Sequence, residues 1–204
     1  MSVPVLWTYD LDEACYAARL TAALAGAEVT LRAVDVVPGA ETGSAAFRAL
    51  SPMGRVPVLV DGKVVLTQTE AILTDLARRG ERGAALLPDT PEALDWLIFA
   101  ARDLSAAGRA RAAALFGTGD ARAAGEARAA LLVLEDRLTA QGLRGAGFVA
   151  GNTPGVADLA LFPGFALSRD WGLGHEAFPA LRLWARRIRM LPGFVGMPGL
   201  PAFP

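Results

Sequence analysis

The chain has little of what many chemistries need. Among 204 residues there is one cysteine, Cys15, one histidine, His175, and two tyrosines, Tyr9 and Tyr16. A single thiol excludes an internal disulfide and suits a reducing, cytoplasmic setting. One thiol and one imidazole are too few soft ligands for a zinc site. Charge of either sign is not in excess: 20 basic against 21 acidic side chains leave a net charge of -1, without the clustered basic surplus of a nucleic-acid binder. No run approaches the ~18 apolar residues of a membrane helix, and Met1-Ser2-Val3-Pro4 lacks the charged and apolar regions of a signal peptide. What is abundant is apolar: 53 % hydrophobic residues, rich in Ala and Leu, against 20 % charged. This composition is globular and favours helix. It predicts a cytoplasmic, metal-free, mostly helical protein with no nucleic-acid or membrane partner.

Val3 to Thr8 is a short apolar run of strand formers and predicts a buried strand. Asp12 to Ala25 has helical spacing through Leu20, Ala23 and Leu24, with Asp12 as N-cap and Gly26 as the C-terminal stop. Glu28 to Asp35 alternates like a second strand, and Ser44 to Leu50 predicts a short helix. Arg55 to Val60 and Lys63 to Leu66 flank Asp61-Gly62, a strong hairpin signal. Thr67 to Arg79 is a helix closed by Gly80. Strands alternating with helices favour a parallel arrangement of the first three, with the hairpin adding an antiparallel edge. The Gly-, Pro- and charge-rich stretch 81–91 predicts a linker. It separates an α/β domain, 1–80, from an all-helical domain, 92–204. In the latter, Leu94–Phe116, Ala121–Gln141, Gly155–Ser168 and Phe178–Met190 carry helical periodicity. Four prolines from Pro192 to Pro204 predict an extended arm on the surface.

A proline inside a strand run cannot donate to the ladder and belongs at an edge or a strand start. Val56-Pro57 is therefore either an ordinary trans edge proline or a cis bond that turns the Val56 N–H and C=O outward, toward a peptide-like ligand. Further on, Thr67-Gln68-Thr69-Glu70 opens a helix. Thr67 with Glu70 reads as a capping box. Gln68 and Thr69 sit where free N–H groups and the helix dipole favour a carboxylate. With Gly155 at an N-cap, Asp158 falls at N3 and bonds back to the cap, a structural role. Glycine in place of Ser or Thr forgoes half of that box, at a few tenths of a kcal/mol.

Together these segments carry a resemblance. Ser51-Pro52-Met53-Gly54-Arg55-Val56-Pro57-Val58-Leu59-Val60-Asp61-Gly62, followed by Leu66-Thr67-Gln68-Thr69-Glu70-Ala71-Ile72-Leu73, resembles the N-terminal signature of the glutathione S-transferase family. Phe148-Val149-Ala150-Gly151 with Pro154-Gly155-Val156-Ala157-Asp158-Leu159, and Phe178-Pro179-Ala180-Leu181 with Trp184, Ile188 and Leu191-Pro192-Gly193-Phe194, are similar to its C-terminal stretches. The resemblance implies a thioredoxin-like N-terminal domain followed by a helical bundle, with glutathione as co-substrate and no metal. Val56 and a cis Pro57 would meet the cysteinyl part. Gln68 and Thr69 would hold the γ-glutamyl carboxylate and amine, and Arg55 would lie near the glycyl carboxylate. It further implies a homodimer formed through the hairpin and the last front-domain helix. The implied activity is conjugation of glutathione to a small apolar electrophile, or a related isomerase or peroxidase reaction, of the kind used in detoxification. Glu41 or Thr42 stands where relatives often carry a basic residue, and Asp12 where they carry serine. These departures leave a non-catalytic binding or scaffold protein as the alternative.

Three residues compete for the role beside the sulfur. Thr8 to Leu20 resembles the "SxxxYxVRL" start of zeta-like and many bacterial members. Asp12 takes the serine position, but a carboxylate repels a thiolate and also suits an N-cap. Cys15, in the first helical turn, is either a thiol of lowered pKa or a small core residue. Tyr9 offers a phenol from the strand end, or is an interfacial aromatic. On the electrophile side, Arg102, Arg109 and Arg111 are either pocket residues or solvated helix charges, and Phe99, Leu115 and Phe116 either line an apolar pocket or fill the core.

Overall fold

A computed structural model describes residues 3–118 and 120–201. The N-terminal part runs β1 (Val5–Thr8), α1 (Glu13–Ala25), β2 (Thr30–Ala33), α2 (Ala45–Leu50), β3 (Val58–Asp61), β4 (Val64–Leu66) and α3 (Thr69–Arg79). The strands form one four-stranded sheet in the order β2-β1-β3-β4. β1 and β2 are parallel, but β3 runs antiparallel to β1, with Leu6 opposite Leu59. This corrects the parallel arrangement expected for the third strand. The connecting α2 has only 6 residues, about 9 Å of helix, and does not carry the chain back to the end where β1 begins. β3 and β4 form the antiparallel hairpin around Asp61-Gly62.

Asp12 caps α1, its Oδ1 accepting the Cys15 N–H at 2.8 Å. Gly26 closes the helix in the left-handed region, φ 73°, which a side chain disfavours. α3 starts later than the sequence suggests. Gln68 is its N-cap and makes no side-chain cap bond, so the Thr67–Glu70 capping box does not form because Thr67 lies outside the helix.

The helical remainder comprises α4 (Pro91–Arg102), α5 (Ser105–Phe116), α6 (Ala123–Leu143), α7 (Val156–Ala166) and α8 (Pro179–Arg189). The single helix expected over Leu94–Phe116 is two. Asp103 and Leu104 both direct their N–H to the Phe99 carbonyl, at 2.9 and 3.1 Å, which ends α4, and the buried Leu104 turns into the core. One apolar core runs through both parts, joining Leu6, Tyr16 and Leu76 to Leu97, Phe162 and Trp184. A smaller one, Val34, Phe47 and Val58, packs with Trp7.

The segment after residue 191 is not a surface arm. Tyr16 donates its phenol proton to the Val195 carbonyl at 2.9 Å, Phe194 packs edge-on against Phe162 with ring centroids 6.0 Å apart, and Met197 is buried. Apolar side chains spaced among the prolines hold it down. Residues 202–204 lie outside the described residues, as do Met1 and Ser2. Among the described residues no helix is long and apolar enough to cross a membrane.

Candidate functional site

A cavity of about 540 Å³ opens between the sheet-bearing part and α4, α5 and α7. Its first wall starts at Ser51. This buried hydroxyl donates to the Arg55 carbonyl at 2.9 Å and accepts the Arg55 N–H at 3.1 Å. Gly54 turns the chain at φ 63°, where a Cβ would lie 2.8 Å from the Thr42 carbonyl oxygen. The turn presents Val56 to the cavity. The Val56-Pro57 bond is cis, and Pro57 is buried behind it. Among the described residues, no group of the protein bonds to the Val56 backbone. Thr67, Gln68, Thr69 and Glu70 line the cavity at the start of α3, so the free N–H groups of that first turn lie beside it. Arg55 completes this wall with an exposed side chain.

The second wall is the β1–α1 loop, held from two sides. Arg19 donates to Thr8 Oγ1 at 2.5 Å and to the carbonyls of Tyr9 and Asp10 at 3.3 and 3.2 Å. Arg111 of α5, almost fully buried, donates through Nη1 to the Leu11 carbonyl and through Nε to Asp170 at 2.6 Å. The loop places Tyr9 and Asp12 on the cavity surface. Burial raises the Asp12 pKa against the hydrogen bonds that lower it. Cys15 is not brought to the cavity. It is fully buried, its sulfur accepts the Tyr9 N–H at 3.3 Å, and burial with the nearby Asp12 pushes its thiol well above the usual range.

Glu13, which the sequence did not single out, also lines the cavity. Its Oε1 is buried and has no hydrogen-bond partner among the described residues. Across the cavity a Cβ placed on Gly108 would lie 3.4 Å from its Oε2. Burial raises its pKa to about 7; Arg111 pulls it down, while Asp12 and Asp170 push it up. The only sequence signal was a second carboxylate beside Asp12 at a helix start, a position that ordinarily just complements the dipole.

The third wall is mostly apolar: Ala100, Leu104, Ala112, Leu115, Phe116 and Pro163. Of the three arginines expected here, only Arg111 reaches the cavity. Arg109 points elsewhere, to Asp120 at 3.0 Å and Glu126 at 2.5 Å. Arg102 is exposed at the end of α4, away from the lining. Phe99 packs edge-on against Trp96 instead, at 5.0 Å. Asp158 stands apart from the cavity and is buried. Its Oδ2 accepts the Gly155 N–H at 2.9 Å, and its Oδ1 accepts the Val149 N–H at 3.0 Å and Trp184 Nε1–H at 2.7 Å.

Residues 3–78 match the family "Glutathione S-transferase, N-terminal domain". The chain is 28 % identical to the maleylacetoacetate isomerase of Pseudomonas aeruginosa over 209 aligned positions, covering 93 % of this chain and 92 % of that protein. Its fold superposes on a possible glutathione S-transferase from Rhodopseudomonas palustris with a TM-score of 0.83 at 28 % identity, over 98 % of this chain and 92 % of the other. It also superposes on a glutathione S-transferase from Pseudomonas fluorescens with a TM-score of 0.84 at 26 % identity, over 97 % and 100 %. Residues 3–78 are therefore a glutathione S-transferase N-terminal domain, and the chain shares the glutathione S-transferase fold across nearly its whole length, with the Val56-Pro57 and Gln68-Thr69 features on one cavity.

Proposed function

We propose that the protein is a glutathione-dependent enzyme that joins the glutathione sulfur to a small, apolar, uncharged electrophile, with isomerisation through the same adduct as a variant. The observation that carries this reading is a single cavity lined both by the unpartnered Val56 backbone and by the open start of α3. A cysteinyl peptide group pairs with Val56. The γ-glutamyl carboxylate takes Gln68, Thr69 and the free N–H groups of α3, and Arg55 faces the glycyl carboxylate. Ala100, Leu104, Ala112 and Phe116 supply the electrophile side. Arg111 is already committed to Asp170 and Leu11, which favours an electrophile without carboxylates. Similarity over most of its length to an isomerase supports the isomerisation variant.

The division into 1–80 and 92–204 across an 81–91 linker belongs to the same proposal, supported by the change from sheet to helices. So do a cytoplasmic location and a homodimer formed through the β3–β4 hairpin and α3, where Val64 and Val65 leave apolar surface exposed. Sedimentation tests the dimer. Calorimetry with glutathione and an aryl-halide conjugation assay test the reaction. Thr69→Ala is expected to weaken glutathione about tenfold, the effect of one charge-assisted hydrogen bond; an unchanged affinity would place the carboxylate elsewhere. Binding without turnover by the unaltered protein would overturn the enzymatic reading.

A further inference from the structure

We propose that Glu13 is the acid–base residue of the cavity, taking the proton of the bound thiol and passing it to the substrate. This rests on the glutathione reading above. Its position is the first reason. As the first residue of α1 it lines the cavity from the N-terminal part, yet its carboxylate reaches to Gly108 on α5. It stands at the seam between the two walls, where a thiol anchored at Val56 and an electrophile lying on α4 and α5 must meet.

The second reason is that its carboxylate is not engaged. Asp12 caps α1, and Arg111 holds Leu11 and Asp170. Glu13 Oε1 is buried without a donor, and buried polar groups are nearly always paired unless a function requires otherwise. Gly108 stands within contact distance of it, a Cβ there meeting Oε2 at 3.4 Å.

Its proton affinity fits the role. The pKa of about 7 lies within about two units of an ordinary thiol, near 8.5, so transfer between them is close to balanced. The charged groups that face it are Asp12 at the start of α1, Arg111 on α5 and Asp170 on the turn beyond α7. Ala100, Leu104, Gly108 and Gly164 on the surrounding walls do not ionise.

For an α,β-unsaturated carbonyl electrophile the step runs as follows. The S–H bond breaks and its proton goes to the Glu13 carboxylate. The sulfur lone pair forms the S–C bond at the β-carbon, and the C=C electrons shift to the carbonyl oxygen as an enolate. The neutral Glu13 carboxyl then protonates the α-carbon, restoring the C=O bond and the carboxylate. Because the carboxyl is neutral while the thiolate exists, it does not repel it.

Glu13→Gln in the full-length protein tests this. Calorimetry should show glutathione binding within about threefold of the unaltered protein. kcat/KM toward an unsaturated ketone should fall on the order of 10²-fold at pH 7 and lose its rise through an ionisation near 7. The ultraviolet absorbance of bound thiolate should appear at lower pH, because the carboxylate that is charged above pH 7 and opposes a ground-state thiolate is gone. Glu13→Asp, which keeps the acid but shortens it, should retain the ionisation with a displaced midpoint, and gives the same reading if the amide variant does not fold. Glutathione bound normally with kcat/KM, pH profile and thiolate absorbance all unmoved would overturn the role of Glu13 alone. No glutathione binding by the unaltered protein would overturn the function on which it rests, and this inference with it.

Discussion

At the start of α7, Asp158 is buried with N–H groups from Val149, Gly155 and Trp184 all directed at it; at the start of α1, Glu13 is half-buried beside Gly108, and its buried Oε1 receives none. Burial raises both pKa values, to about 6 for Asp158 and about 7 for Glu13. The shift therefore does not separate them. The donors do: three fixed N–H groups make Asp158 a joint between the Val149 strand-like turn, the helix start and α8, whereas a carboxylate left unpaired beside a cavity keeps its proton chemistry available.

The largest way to break this comparison is Asp158→Ala, expected to cost about 3–5 kcal/mol, because three buried donors lose their acceptor. Urea denaturation measures it, and a loss below 1 kcal/mol would mean that water replaces the carboxylate. Glu13→Gln should act in the opposite direction on stability. The folded pKa of about 7 lies above the ordinary 4.5. Below 4.5 both folded and unfolded chains hold the proton, and the charge costs nothing. Between 4.5 and 7 only the folded chain holds it, so rising pH favours unfolding, and above 7 the penalty is complete. The amide variant is therefore expected to be about 2–3 kcal/mol more stable than the unaltered protein at pH 8, with the gain gone by pH 4. Paired urea titrations at the two pH values check both magnitude and sign. Smallest is Gly155→Ser, which supplies the missing half of the box opposite Asp158. The nearest atom a Cβ would meet there is the Leu86 carbonyl oxygen at 3.6 Å, so thermal denaturation should show a gain of a few tenths of a kcal/mol.

Much of this contrast was legible in the sequence at one end and hidden at the other. Asp158 three residues after Gly155, Asp12 before an apolar-periodic run and Pro57 at a strand start are local patterns, and local patterns survive folding. Glu13 was missed because the surroundings of its carboxylate are set by α5, about a hundred residues away, which has no signature in the residues beside it. The direction of β3, the break between α4 and α5 at Leu104 and the start of α3 at Thr69 were misread for the same reason. Each depends on where a residue finds tertiary contacts, not on its neighbours in the chain. Arg111 shows this most plainly. Along its helix it reads as a solvated charge, and its burial follows from Leu11 and Asp170, which come from either side of it in sequence.

The bond between the Tyr16 phenol and the Val195 carbonyl spans 179 residues, and it gives the order of synthesis a meaning. A chain is made from its N-terminus, and its early segments start to fold before the later ones exist. Here the packing of α1 cannot be completed until the segment after α8 has followed it. Until then Tyr16 has no acceptor and Phe162 no Phe194 against it. Glu13 lies on that same helix, so a product stalled before residue 195 carries the sequence of the site on a helix whose packing is unfinished.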